Sequence, residues 1–215
     1  MCPVAAPPHP PGQRRARRRR PPGGACALVR SGHLAAAGAC GDTAGECVEN
    51  IIADEGTDMD GIVLLKEDHK TVEKLFKQFE KAGEGALAEK RKLADQVIEE
   101  LTTHTWIEEK IFYPAAREAA PDSKDHVLES VEEHHVVLWM LSELKDMDPA
   151  DERFDAKMTV LMENVRHHVE EEEKEWFPEV RKAMGRNRLK ELGEEMEAAR
   201  ATAPSDPLTV PSAEQ

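Results

Sequence analysis

HTWIEEKIFYP (104–114) and HVEEEEKEWFP (168–178) are the two stretches that organise this chain. Each begins with a histidine, carries a glutamate four residues on, and reaches a proline six residues after that glutamate. On an α-helix of about 3.6 residues per turn, positions i and i+4 share one face. His104 with Glu108, and His168 with Glu172, can therefore each aim at one point. That is the geometry of a metal site, and both pairs fall where the hydrophobic spacing turns the helix toward a core.

Outward from these stretches the spacing predicts four helices. The first runs from about Gly61 or Ile62 to Lys81, with Asp60 as its cap. Its apolar positions are Leu65, Val72, Phe76 and Phe79, and His69 fills the gap; Gly83-Glu84-Gly85 ends it. The second covers about Ala86 to Phe112 on a spine of Val97, Leu101, His104, Glu108 and Ile111, and Pro114 disfavours its continuation. The third follows Pro121-Asp122-Ser123, with Val127, Val131, His134, Leu138 and Leu141 as its spine. Asp148 is expected to cap the fourth, with Pro149 in its first position and Asp151 closing a capping box. Phe154, Met158, Leu161, Val165, His168 and Glu172 form the fourth spine.

Four such helices joined by short breaks predict an all-α, antiparallel up-down-up-down four-helix bundle. The halves also repeat. Glu67 to Val72 lines up with Glu132 to Val137, Phe76 with Leu141 and Phe79 with Leu144, and the histidines lie 35 residues apart in one half and 34 in the other. The bundle is thus read as two repeated αα-hairpins. Residues 1–58 read as a disordered Arg/Pro/Gly-rich extension, or as an untypical upstream segment if the folded part starts at Met59. Residues 59–180 are the bundle, and 181–215 a charged helix, about Asn187 to Arg200, followed by a disordered C-terminal tail.

The 215 residues suffice for one sizeable domain with tails. Net charge is −14, but residues 1–50 hold seven arginines against three acids, leaving −18 on the remainder. An acidic folded part argues against nucleic acid as a partner. Cys2, Cys26, Cys40 and Cys47 all lie in the N-terminal segment at spacings that match no zinc signature. No apolar run is long enough for a membrane span, no export signal is apparent, and cytoplasm is the default.

Any one of these histidines alone suits a satisfied core histidine. Together they interrupt four apolar spines, and two are followed by a glutamate whose burial is costly without a positive partner. A metal ion removes that cost. Imidazole with carboxylate suits iron, manganese or zinc better than copper(I), and six donors exceed one four-coordinate zinc site. They divide over two ions. His69 and His104 serve one and His134 and His168 the other, while Glu108 and Glu172 bridge ions about 3.5 to 4 Å apart. Between them a pocket would take oxygen, peroxide, nitric oxide or water.

His167 and Glu171 repeat the four-residue spacing but fall off the register of the fourth spine, so they are expected at the boundary or in solvent. Glu109 and Glu173 are placed to orient ligands. Trp106, Phe112, Trp139, Trp176 and Phe177 are expected near the open end of the bundle, as a screen from water or as plain end packing. Tyr113 is expected beyond the ligand layer.

On KEDH around His69, HTWIEEKIFYP from His104, EEHH around His134 and HHVEEEEKEWFP around His168, the chain resembles the hemerythrin-like, HHE cation-binding family over roughly Ile62 to Pro178. The resemblance implies a non-haem di-iron centre with His69, His104, Glu108, His134, His168 and Glu172 as ligands, and it supplies the preference for two iron ions over manganese or zinc. The expected function is binding or sensing of dioxygen, peroxide or nitric oxide. Alternatives are a di-iron enzyme with weak peroxide-decomposing or ferroxidase activity, and a metal-stabilised structural or regulatory interaction module. A small diatomic or peroxide ligand is the expected partner, with no nucleic acid and no membrane; a protein partner or a homodimer stays open. The oxygen carriers of the family present two histidines four residues apart on their third helix, whereas here Leu138 follows His134 at that distance. His135, Glu132 and His126 are the candidates for a further ligand.

Overall fold

The computed structural model describes residues 59–211, so the expectations for residues 1–58, their four cysteines included, and for 212–215 lie outside the described residues. α1 spans Gly61–Lys81. Asp60 caps it by accepting from the Val63 N–H at 2.9 Å, and Ala82 ends it in extended backbone. Its buried positions, among them Leu65, His69, Val72, Phe76 and Phe79, recur at three- and four-residue steps and form one face.

α2 is Leu87–Ile107, and here the structure departs from the expected stop before Pro114. The chain widens into a π-helical turn, Glu108–Phe112, and continues as α3, Tyr113–Ala119. Proline removes one backbone donor and would press its ring on the carbonyl four residues back. A wider turn, in which the Tyr113 N–H binds the Glu108 carbonyl five residues back, carries the helix past it. The second stretch repeats this. α5, Phe154–Glu171, passes through a π turn at Glu172–Trp176 into α6, Phe177–Arg200, and the Phe177 N–H binds the Glu172 carbonyl. The π turns also shift the inward register: Phe112 is buried and Ile111 only half-buried.

α4, Lys124–Asp146, follows a 3₁₀ turn at Pro121–Ser123. Asp148 and Asp151 do not cap the next helix. They accept from the Ala150 and Arg153 N–H groups, both at 2.9 Å, building successive turns that delay α5 until Phe154. α6 starts earlier than the predicted Asn187, at Phe177, and is broken at Gly185, whose φ of 72° is open to a residue without Cβ. Within residues 201–211, tail-like in composition, the Pro207–Thr209 turn packs on α4: Pro207 is buried, and Val210 packs on the core.

The result is an all-α four-helix bundle of up-down type, in which α1 packs on α2, α2 on α4 and α4 on α5. The fourth seam, between α1 and α5, is looser, and Arg166 ties it by reaching Glu73 and Glu80 at 2.9 Å each. α6 lies on α1 so closely that a Cβ at Gly193 would stand 2.4 Å from the Met59 carbonyl oxygen. Two apolar clusters fill the bundle. One contains Val72, Phe76, Leu101, Val137, Leu141, Phe154 and Val165; the other contains Leu65, Ile107, Phe112, Tyr113, Trp176 and Phe177. Each large side chain in them stabilises the fold by about 1.5–3 kcal/mol on burial. Among the described residues no helix is long and apolar enough to cross a membrane.

Candidate metal centre

His69, His104, Glu108, His134, His168 and Glu172 are all buried, on the helices whose side chains make up the two apolar clusters. α1 contributes His69, α2 His104, α4 His134 and α5 His168; each π turn begins at its glutamate. The imidazoles pair by hairpin. His69 Nε2 stands 3.2 Å from His104 Nε2, and His134 Nε2 stands 3.2 Å from His168 Nε2. Glu108 Oε2 lies 3.2 Å from His104 Nε2 and 3.4 Å from His134 Nε2. Glu172 Oε2 lies 3.4 Å from His69 Nε2 and 3.6 Å from His168 Nε2. Each carboxylate therefore spans both imidazole pairs.

The outer nitrogens show why the inner ones face each other. His69 Nδ1 donates to Glu173 (2.9 Å), His104 Nδ1 to Asp68 (3.3 Å), His134 Nδ1 to Glu109 (3.0 Å) and His168 Nδ1 to Glu133 (2.7 Å). A carboxylate can only accept, so these contacts place the hydrogen on Nδ1 and leave each Nε2 lone pair pointing inward. The pattern follows the repeat. The residue before the first histidine of each hairpin, Asp68 or Glu133, holds the second histidine of that hairpin. The residue after each inner glutamate, Glu109 or Glu173, holds the first histidine of the other. Glu109 and Glu173 stand where the sequence suggested; Asp68 and Glu133 are added by the fold.

Glu108 Oε1 and Oε2 and Glu172 Oε2 are buried without a hydrogen-bond partner among the described residues. Lone pairs facing lone pairs beside orphaned carboxylate oxygens are unfavourable in a protein interior unless a cation sits between them. Two nitrogens 3.2 Å apart is the separation of neighbouring ligands whose bonds to one ion are about 2.1 Å. His69, His104, Glu108 and Glu172 form one group that could hold an ion, and Glu108, His134 and His168 another. The donor set, imidazole and carboxylate without thiolate, fits two ions of iron, manganese or zinc type.

Without a cation the layer keeps protons instead. Burial disfavours the charged form of His69, but contacts to Glu172 and Glu173 outweigh it and raise its pKa to about 9. His134, likewise opposed by burial, is raised to about 10 by Glu108 and Glu109. Burial raises the Glu172 carboxyl, yet His168 and His69 hold it well below the usual carboxylate range.

Tyr113 is not beyond the ligand layer, as sequence spacing suggested. On a continuous α-helix, five residues would turn it about 140° away from Glu108; the π turn returns it to that face. Its hydroxyl donates to Glu172 Oε1 at 3.1 Å and lies 3.2 Å from His134 Nε2. Burial pushes its pKa well above the ordinary tyrosine value, and the charges of Glu108 and Glu172 add to this. The candidates named for a further ligand lie elsewhere. His135 is exposed and 3.5 Å from exposed Glu132, and His126 packs on Trp176 with ring centres 4.8 Å apart. His167 is 65% exposed, as the register implied, 3.4 Å from Glu171.

Phe112, Trp176 and Phe177 are buried at one end of the layer. Trp106 sits at the edge under Lys110, whereas Trp139 is 56% exposed and points away under Lys157. Between the four histidines remains a pocket of about 20 Å³, walled by Val72, Leu101, Val137 and Val165. That is room for roughly one water-sized molecule.

The family profile described as hemerythrin HHE cation binding domain matches residues 60–180. Among solved structures, a hemerythrin HHE cation binding domain-containing protein from Mycobacterium kansasii is 26% identical, with a TM-score of 0.58 over 66% of this chain and 86% of that one. No curated protein gives a significant match.

Proposed function

The chain belongs to the hemerythrin HHE cation-binding domain family, and we propose that it holds two iron ions between its hairpins and uses them to bind or sense dioxygen, peroxide or nitric oxide. His69 and His104 would hold one ion and His134 and His168 the other, with Glu108 and Glu172 shared. The observation that carries this reading is the set of buried, unpartnered oxygens of Glu108 and Glu172 facing four inward Nε2 atoms. Iron bound there supplies a redox couple and coordination positions for a small ligand.

The chain's own groups prepare that chemistry. Asp68, Glu109, Glu133 and Glu173 hold the imidazoles in one tautomer and orientation, which raises their basicity as ligands. Phe112, Trp176 and Phe177 keep water from one side. The pocket between the histidines admits one small molecule against aliphatic walls, which suits an uncharged diatomic or hydrogen peroxide. Tyr113 places an oxygen beside His134 and Glu172, which would make the His134–His168 position the more saturated of the two.

Anaerobic metal analysis followed by optical spectra during controlled oxygen exposure tests the proposal. About two irons per chain with reversible spectral change is the expected result; one zinc, or no metal after reconstitution, would sink it. Tyr113 favours a second reading, slow turnover of peroxide, because a buried phenol hydrogen-bonded to Glu172 can pass a proton within the site. Oxygen release from hydrogen peroxide by the iron-loaded protein, lost in Tyr113→Phe, would establish that reading; equal release by both would dismiss the role of Tyr113.

A further inference from the structure

We propose that the ligand reaches the metal layer sideways, through the seam between α1 and α5, and that Val72, Val165 and Val169 form the constriction that selects it. This rests on the reading of the site as a small-ligand centre. Three observations converge on the seam. It is the loosely apposed pair among the four neighbouring helices. A surface cleft of about 370 Å³ opens along it. The cleft and the pocket of about 20 Å³ between the histidines share His69, Val72, Val165 and Val169 as lining, so one layer of side chains separates outside from inside.

Among the described residues, two other approaches are closed. Leu101 and Val137, on the opposite wall, are buried within the larger apolar cluster. Phe112, Tyr113, Trp176 and Phe177, toward the π turns, are at most 2% exposed. In the seam, Val72 and Val165 are buried but Val169 is only half-buried. A valine partition one residue thick opens by small helix and side-chain fluctuations on fast timescales, whereas an interdigitated core does not.

The cleft also sets the chemistry of what passes. Its cations are engaged: Lys70 with Glu67 at 2.7 Å, Lys174 with Glu170, and Arg166 with Glu73 and Glu80. Glu73 and Glu170 are two of those partners, and Glu173 is held by His69 and Lys66, so the charges of the lining balance, while the deep wall is Val72, Phe76, Val165 and Val169. A balanced rim over an apolar wall favours small uncharged molecules over ions and over anything wider than the partition. Arg166, bridging the helices above Phe76, restrains the seam.

The test is stopped-flow association of nitric oxide and dioxygen with the iron-loaded protein. Val169→Phe, at the half-buried rim of the partition, should slow association by roughly tenfold or more, with metal content unchanged. Val169→Ala and Arg166→Ala should speed it, and Val169→Ala should admit tert-butyl hydroperoxide. Val137→Ala enlarges the inner pocket from the far wall and should not admit that probe. If Val169→Phe keeps the parental rate, or Val137→Ala admits tert-butyl hydroperoxide as readily as Val169→Ala, the route is wrong while the site stands. If the parental protein holds two irons yet takes up neither gas, the reading of the site falls and the route with it.

Discussion

The two hairpins make the same site from the same spacing, yet they surround it differently. Tyr113 and Phe177 occupy matching places, five residues after Glu108 and Glu172, each stacked on the first histidine of the opposite hairpin. Tyr113 lies on His134 with ring centres 5.4 Å apart, and Phe177 on His69 at 6.0 Å. One hydroxyl is the difference. It puts an oxygen donor beside the His134–His168 pair and leaves an apolar edge beside His69–His104. The acids behind the second histidines differ too. Asp68 is gripped by Arg200 of α6, whose Nη2 reaches both carboxylate oxygens at 2.6 Å. Among the described residues Glu133 has no such clamp, and it stands near exposed His167 and half-buried Glu171. A repeat thus supplies the ligand frame, and single substitutions within it make the two proposed ion positions unequal.

The largest test of that frame is Glu108→Gln. Glu108 belongs to both groups that could hold an ion, so iron at both positions should be lost in elemental analysis. Glu172→Gln should deplete the His69–His104 position first; two irons retained in both variants would refute the shared carboxylates. The next largest effect should come from exchanging the paired aromatics. Tyr113→Phe should make the two positions more alike in their metal spectra, and Phe177→Tyr should lower the affinity for a small ligand by about tenfold. Spectra indifferent to both changes would remove the asymmetry.

Asp68→Asn and Glu133→Gln should each weaken one position by about 10–100-fold in competitive metal titration. Arg200→Gln should weaken only the His69–His104 position, and by less, since Asp68 would keep its contact with His104. Equal effects of Arg200→Gln on both positions would mean that α6 serves the fold rather than one ion.

A separate test is pH dependence. In metal-free protein His69 and His134 are raised from 6.5 to about 9 and about 10. Their contribution to stability is fully present below pH 6.5 and is lost as pH rises through those values. The melting temperature of the metal-free form should therefore fall toward pH 10. Metal uptake near neutrality should release protons, and affinity should rise with pH. Proton release that is absent by pH-stat titration would show that the histidines are neutral before metal arrives.

Much of this was legible in the chain. The 4,3 spacing with His69, His104, His134 and His168 on four apolar spines specifies four helices and one shared layer, because helical period and burial are local properties of composition and order. The i, i+4 glutamates and the repeat place the carboxylates by the same rule. Two prolines were misleading. Pro114 and Pro178 read locally as stops, but a helix already held by packing on both sides widens by one residue instead. That choice belongs to tertiary structure, since the weaker hydrogen bonding of a π turn must be offset by contacts the local sequence does not contain.

The same choice turned Tyr113 into the site and moved the inward position from Ile111 to Phe112. Asp68 and Glu133 as imidazole partners, Arg200 behind Asp68, and the loose α1–α5 seam likewise depend on which helices become neighbours and how closely. Periodicity states which face of a helix is buried. Only the packed bundle decides what that face meets.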